Sequence, residues 1–559
     1  MGNDGGLIKK YCSIALLLFG FIFPFFDRPC FAENAKTLYE ERLDHGLTNN
    51  DAYSFFLMEG SGGSSEKKDL LKQAMIYSPD LPAPYFKIAY DRIDFSFKGI
   101  FEAVDYIRKG IRSYERNLLW RFNLWGLLTK SLIISFLLAV FFLIIVRFQS
   151  QAAVMMHEIK EDRKKNLLLL LPIIFSIFGL LPLLVSLLSL YGLYMKKRDR
   201  IVIYVAFLII FFLSLLPDIV NVFSVPPHIR AAIAVNEGRD NKYGLWRLKG
   251  RDDLVSSFAH ALALKREGYY KESVDIYKNL AERYRLPEIY INLGNSLYAS
   301  GNIDGAIEYY SKSLSIRPIA AAYYNLSQVY RELLDFKRGE EYFEEAARLD
   351  PESLRRYTLI SGRNPNRFVM DVKLPDSLIR SQIVSEKGGL IRLTLTTIVT
   401  LFAILSFFII DRVLRNRAER CRKCGSIYCR GCSRLVTWKE MCSNCYRSLV
   451  RMEQMYSKDR VANLLLMYKN RARKRTVARL LSLFIPGAGQ IYSGRMIWGF
   501  LFCWSFFFAL TGLILNSIMR EGIYPFHHDI LVLPLVLAII VLYGLSNIHI
   551  RRGIQKGWL

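Results

Sequence analysis

Residues 287–319 read PEIYINLGNSLYASGNIDGAIEYYSKSLSIRPI, and residues 320–352 read AAAYYNLSQVYRELLDFKRGEEYFEEAARLDPE. Aligned at a spacing of 33 residues, Tyr290, Leu293, Ala306, Tyr310 and Pro318 fall on Tyr323, Leu326, Gly339, Phe343 and Pro351. One period earlier, Leu264, Gly268, Ser273 and Tyr277 fall on Leu297, Gly301, Ala306 and Tyr310. A fixed period of this size marks supersecondary units that stack on one another. Each unit reads as two antiparallel helices joined at a Gly turn. Pro318 and Pro351 end the second helix, because the ring removes a backbone donor. Gly294 and Ala306 are small enough for two helices to approach closely, with Tyr290 and Tyr310 filling the space beside them. A lone hairpin cannot bury its apolar face, so neighbours stack into a solenoid.

The order aromatic, Leu, small, Gly turn, small, aromatic, Pro resembles the tetratricopeptide repeat. We assign three repeats, at 254–286, 287–319 and 320–352, within a domain covering 224–388. The first matches least well, with Ser257 where an aromatic is usual. The resemblance implies an all-α solenoid whose concave surface takes peptides or helices of partner proteins. The repeat residues quoted are core-forming, and none is offered as a binding residue. A fainter copy lies at 70–90, LLKQAMIYSPDLPAPYFKIAY, followed by a second helical stretch at 101–112 with Ala103. Within 33–120 this reads as one or two degenerate repeats, or as a generic helical hairpin.

Outside the repeats the chain turns apolar. Of its 559 residues 52% are hydrophobic and 23% charged, a mixture expected of membrane spans alternating with water-facing domains. Continuous apolar runs occupy 124–146, 167–194, 201–223, 393–410, 496–515 and 530–545. A bilayer core of ~30 Å needs ~20 helical residues, so most can span, and in lipid they must be helices. The chain therefore reads as a polytopic membrane protein, with membrane regions at 124–223, 393–410 and 478–548. The run 167–194 contains Pro172, Gly179 and Pro182, with basic loops on both sides, Lys160 to Lys165 and Lys196 to Arg200. It reads as a broken, re-entrant hairpin, with an ordinary kinked span as the rival. At the N-terminus, Lys9 and Lys10 precede an apolar run, and Cys30-Phe31-Ala32 offers small residues for cleavage. Residues 1–32 are expected to be a signal peptide or an uncleaved anchor.

The net charge of +26 is concentrated in one place. Between Arg412 and Arg475 there are 18 Lys/Arg against 4 Asp/Glu, whereas 224–388 holds 25 against 22. The basic segment also contains six of the nine cysteines, as pairs Cys421/Cys424, Cys429/Cys432 and Cys442/Cys445. Two thiolates separated by two residues suit one tetrahedral metal, and two such pairs complete a structural zinc site. Segment 412–476 is thus a basic zinc module. The string CRKCGSIYCRGCS resembles the second half of a FYVE-type or related treble-clef finger. That resemblance implies that Cys421/Cys424 share a metal with Cys442/Cys445. It leaves Cys429 and Cys432 to a second metal, held by dimerisation, or to another arrangement of the first site. The family's lipid-headgroup histidines are replaced here by RAERC, so phosphoinositide recognition is not carried over. The positive charge is assigned to membrane orientation and anionic lipid. Nucleic acid is not assigned as a partner, because aromatics are not interleaved to stack bases.

The stretch LFIPGAGQIYSGRMIWGFLF at 483–502 resembles a motif of small bacterial two-helix membrane modules. The tail 549–559 carries Arg551, Arg552 and Lys556, a cytoplasmic-style anchor. Enzyme signals are weak. HEIKED at 157–162 lacks the second histidine of a zinc protease, and no phosphate loop or nucleophile elbow occurs. His527-His528-Asp529 reads as a polar loop, and Asp218 as a boundary residue near a span end. We expect a non-enzymatic protein of the bacterial inner membrane that scaffolds envelope proteins through its repeats, or a component of a transport system. The topology argument places the repeats in the periplasm and the cysteines in the cytoplasm.

Overall fold

The helix Pro287–Ala299 and its partner Ile303–Ile316 show why this sequence folds as pairs. A Cβ on Gly294 would lie 2.6 Å from a ring carbon of Tyr310, so only glycine lets that ring enter between the helices. Tyr310 and Ala306 are fully buried there. Tyr290 is only half-buried, stacking on Tyr309 with ring centroids 6.2 Å apart, and so lines the surface rather than filling the interior. The helix pairing recurs in Leu254–Arg266 with Tyr270–Arg283 and in Ala320–Glu332 with Phe336–Leu349, closed by Pro351–Ile360. Asp253, Asn302, Asp335 and Asp350 cap helix starts with their side chains, satisfying amides that have no partner within the helix.

The computed structural model describes residues 39–60, 67–92, 96–161, 167–195, 199–221, 223–386, 391–413, 418–428, 436–438, 441–452, 455–518, 520–521, 524–525 and 528–557. The expected signal segment lies outside them. The chain divides into two units, one of Met1–Asp80 with Pro227–Ile379, the other of Leu81–Pro226 with Arg380–Leu559. The repeats belong to the first, preceded by Pro227–Asn236 and Lys242–Leu248 and joined by Asp51–Gly60 and Lys67–Tyr77. Buried Arg239 pairs with Asp51 and Glu237, and Asn49 donates to the Glu237 carbonyl at 3.0 Å. These bonds bind the N-terminal helices to the repeat unit. The expected single segment 33–120 is therefore divided. Ala83–Asp91 and Phe97–Arg116 form their own hairpin in the second unit, where Phe86 is buried beneath Gly110.

Among the described residues of the second unit, four helices are long and apolar enough to cross a membrane: Leu118–Phe148 (within Leu118–Glu161), Leu395–Val413, Met496–Ile518 and Asp529–Gln555. The apolar run 167–194 forms two short helices, Leu170–Ser176 and Leu180–Leu193, folded back on each other around Gly179. Gly179 takes φ +112° and ψ −175°, a conformation essentially confined to glycine. The run 201–223 is not one helix. Ile201–Leu215 stops at Leu216, because the residue before Pro217 is driven out of the helical region, and a 3₁₀ turn Pro217–Asn221 follows. Phe136, Leu143, Leu188, Ile203, Phe407 and Cys503 share one buried core among these helices. The described residues are mostly helical, and among them three small antiparallel hairpins, two beside the cysteines, add to the expected all-α fold.

Candidate functional site: the repeat face and the thiol cluster

Three helices, Pro227–Asn236, Pro287–Ala299 and Ala320–Glu332, present asparagines to one face of the repeat unit. The side chain of Asn325 accepts from the Met370 amide (2.7 Å) and donates to its carbonyl (3.0 Å). Asn292 does the same to Val372 (3.0 and 2.9 Å), and Asn236 to Leu374 (2.8 and 3.1 Å). Alternate residues of a chain are engaged through both backbone groups, which an extended segment alone permits, since its side chains and amides repeat every two residues. Residues 369–374, VMDVKL, therefore lie along the face as an extended segment, with no sheet partner among the described residues.

Between two of these contacts, Asp371 reaches Lys265 Nζ at 2.8 Å and Arg266 Nε at 2.9 Å. Asn295 adds a bond to its Oδ1 at 3.1 Å, and Tyr310 in turn donates to Asn295 at 2.8 Å. Lys265 is 1% and Asp371 9% exposed at the side chain, so both charges sit away from water. Burial alone would raise the Asp371 carboxyl, but Lys265 and Arg266 outweigh it and hold the group at about 2. Val369, Met370 and Leu374 are buried beside it.

None of these polar contacts was assigned from sequence. The signal was the recurrence of Asn at 292 and 325, one repeat apart, at helix positions where a core would be apolar. Nothing in the string VMDVKL marks it as their occupant.

The thiol cluster is built in the second unit. Glu419–Arg420 pairs with Ile427–Tyr428, and the turn between them carries Cys421 and Cys424. The Cys421 amide donates to the Ser426 carbonyl at 2.8 Å, and Gly425 donates back to Cys421 at 3.0 Å. A second hairpin, Val436–Trp438 with Met441–Cys442, delivers Cys442 to the start of helix Ser443–Leu449, whose first turn bears Cys445. Asn470 ties the turn to helix Ser457–Phe484 by donating to Lys423 at 2.9 Å.

The four sulfurs lie within 4.8 Å of one another, with Cys421–Cys445 at 3.8 Å and Cys424–Cys442 at 3.7 Å. Ligands at ~2.3 Å on a tetrahedron about zinc stand about 3.8 Å apart. A disulfide would require ~2.05 Å. Hydrogen bonds from Cys424 and Cys445 hold the Cys421 thiol below its ordinary range, while bonds with Cys421 and Cys424 push Cys445 up. Sulfurs this close compete for one another's lone pairs and protons, and a divalent cation would replace those protons. The cluster could hold a metal ion, and its all-sulfur donor set is that of zinc or iron. Cys429 and Cys432 lie outside the described residues.

Residues 287–318 and 320–353 match models of the tetratricopeptide repeat. Residues 287–353 are tetratricopeptide repeats. The pair Leu254–Arg266 and Tyr270–Arg283 precedes them with helix lengths within a residue of theirs. No curated protein matches the chain. His528, assigned to a polar loop, is buried, with Nδ1 2.9 Å from the Tyr114 hydroxyl. His527 lies outside the described residues. Asp218 pairs with Arg392 at 3.3 Å at a helix end.

Proposed function

We propose that this protein is a membrane-anchored, non-enzymatic scaffold. Its repeats recruit or assemble cell-envelope proteins, and its zinc module stands on the cytoplasmic side. Tetratricopeptide repeats commonly serve protein–protein interaction, and that observation carries the reading.

The membrane part of the proposal rests on how helix ends sort in the second unit. At one level, Arg200 pairs with Asp411 at 2.8 Å, and Arg147 reaches the Tyr492 carbonyl at 3.5 Å. At the other, Arg392 donates to Leu215 (3.1 Å), Thr397 to Ser214 (2.7 Å), and His528 to Asn516 (2.8 Å). Five apolar helices, those of Leu118–Phe148, Ile201–Leu215, Leu395–Val413, Met496–Ile518 and Asp529–Gln555, then run alternately between the two levels. The 167–194 hairpin returns to the level it left, since Arg200 also holds the carbonyls of Leu193 (3.2 Å) and Met195 (3.0 Å).

The first level carries the basic segment 412–475 and the tail Arg551, Arg552 and Lys556, so the positive-inside tendency makes it cytoplasmic. By chain connectivity the repeats then fall in the periplasm. Thiols on the cytoplasmic side stay reduced and free to hold zinc. Reporter fusions active only in the periplasm test this, placed after Gly301 and after Met452. Activity at the first and silence at the second is expected, and the opposite pattern would reverse the orientation. Proximity labelling from the repeats, recovering one stable envelope complex, tests the scaffold reading itself.

A further inference from the structure

We propose that residues 369–374 are a tethered ligand. They fill a peptide-binding site on the first-helix face of the repeats, and an extended partner segment bearing an aspartate between apolar residues exchanges with them. The proposal deepens the reading of the repeats as a protein-binding domain and rests on it.

The paired contacts of Asn236, Asn292 and Asn325 engage only backbone groups of Leu374, Val372 and Met370. Every peptide carries those groups, so a ladder of this kind recognises extension rather than sequence. Asn292 and Asn325 occupy the same position in adjacent repeats and read residues two apart, while Asn236, in the helix before the repeats, continues the ladder to Leu374, the first repeat having Ala259 at that position. Selectivity comes from one place. Lys265, Arg266 and Asn295 converge on the Asp371 carboxylate, and a carboxylate between two buried cations is hard to replace. Buried Met370 and Leu374 add apolar requirements on either side of it.

Connectivity argues that the segment is an occupant and not part of the solenoid. The last repeat helix ends at Ile360, and the next long helix starts at Asp376. Between them the chain turns back and crosses the face toward earlier helices, from Asn325 to Asn292 to Asn236. A tethered ligand acts at an effective concentration in the millimolar range. It therefore excludes weak peptides and yields to a partner that binds better or pulls on the linker.

The test uses the full-length protein in detergent and a fluorescent peptide copying residues 368–375, FVMDVKLP, read by anisotropy. Val372→Pro in the chain removes the amide from which Asn292 accepts, weakening the tethered segment, while leaving Lys265, Arg266 and Asn295 of the site unchanged. The V372P chain is expected to bind the peptide at least about tenfold more tightly than wild type, and a peptide carrying alanine for the aspartate should not bind. Equal binding by the two chains overturns the proposal, as does no binding by a V372P chain of wild-type helicity. Hydrogen exchange on the wild-type chain needs no variant. The amides of Met370, Val372 and Leu374 are expected to exchange by local opening, faster than the core of Pro287–Ala299. Exchange only together with that core would make the segment a structural strut and overturn the proposal. Proximity labelling fails or succeeds independently of all these results.

Discussion

Asp371 sits between Lys265 and Arg266 with its carboxyl at about 2 against an ordinary 3.8. A depressed carboxylate stabilises the fold above its unfolded value and loses that contribution as pH falls through its folded value. The clamp on residues 369–374 should therefore be intact above about pH 4 and weaken by about 2 kcal/mol as pH falls toward 2. Pepsin cleavage within 361–375 should rise across that window, and Asp371→Asn should show it already at pH 4. Tyr310 joins the same site to the core, being fully buried and bonded to Asn295 at 2.8 Å. Tyr310→Ala should lower the stability of the repeat unit by ~3–5 kcal/mol. Tyr310→Phe, which removes only the hydroxyl, should lose about 1 kcal/mol. Urea unfolding followed by circular dichroism separates the two. These side chains were readable as core because Tyr and Gly recur at the repeat spacing. Their second role depends on an aspartate 76 positions beyond Asn295, which no local pattern announces.

The paired helices of each repeat and the cysteine hairpins depend on local sequence in different ways. Gly294→Ala would set a Cβ 2.6 Å from the Tyr310 ring and force the two helices apart. Overpacking of this kind costs about 1–3 kcal/mol, visible as an earlier urea transition of the repeat unit. In the thiol cluster, two short hairpins and one seven-residue helix have little apolar surface of their own, with Tyr428, Met441 and Met467 as the main buried side chains beside the cysteines. Such a module would take much of its folding energy from a bound metal. The purified full-length chain should carry about one zinc at this cluster by elemental analysis, and Cys421→Ser should remove it. A metal content unchanged by that substitution would defeat the assignment. The four cysteines were legible because a spacing of two residues is a ligand signature. Their convergence came from the hairpin Val436–Trp438 with Met441–Cys442, which closes the distance between the pairs.

At the level of the whole chain, the sequence alone marked the repeats, the apolar runs, the basic segment and the cysteine pairs. Each of these is a local or periodic property, set by residue type and spacing. It could not decide whether 167–194 crosses the bilayer or returns, because both readings have the same composition. The hairpin at Gly179 now supports a direct expectation: excising 167–194 should leave the reporter pattern at Gly301 and Met452 unchanged, whereas removing a true span, upstream of both positions, would invert both. Nor could the sequence say what lies on the repeat face. A helix period or a pair of cysteines is written within some tens of residues, whereas the Asn ladder joins Asn236 to Leu374 across 138. Only packing brings such groups together, since a backbone amide offers every partner the same hydrogen bond until the fold selects one. The solenoid was thus determined by repetition in the sequence, and its occupant by the tertiary path of the linker.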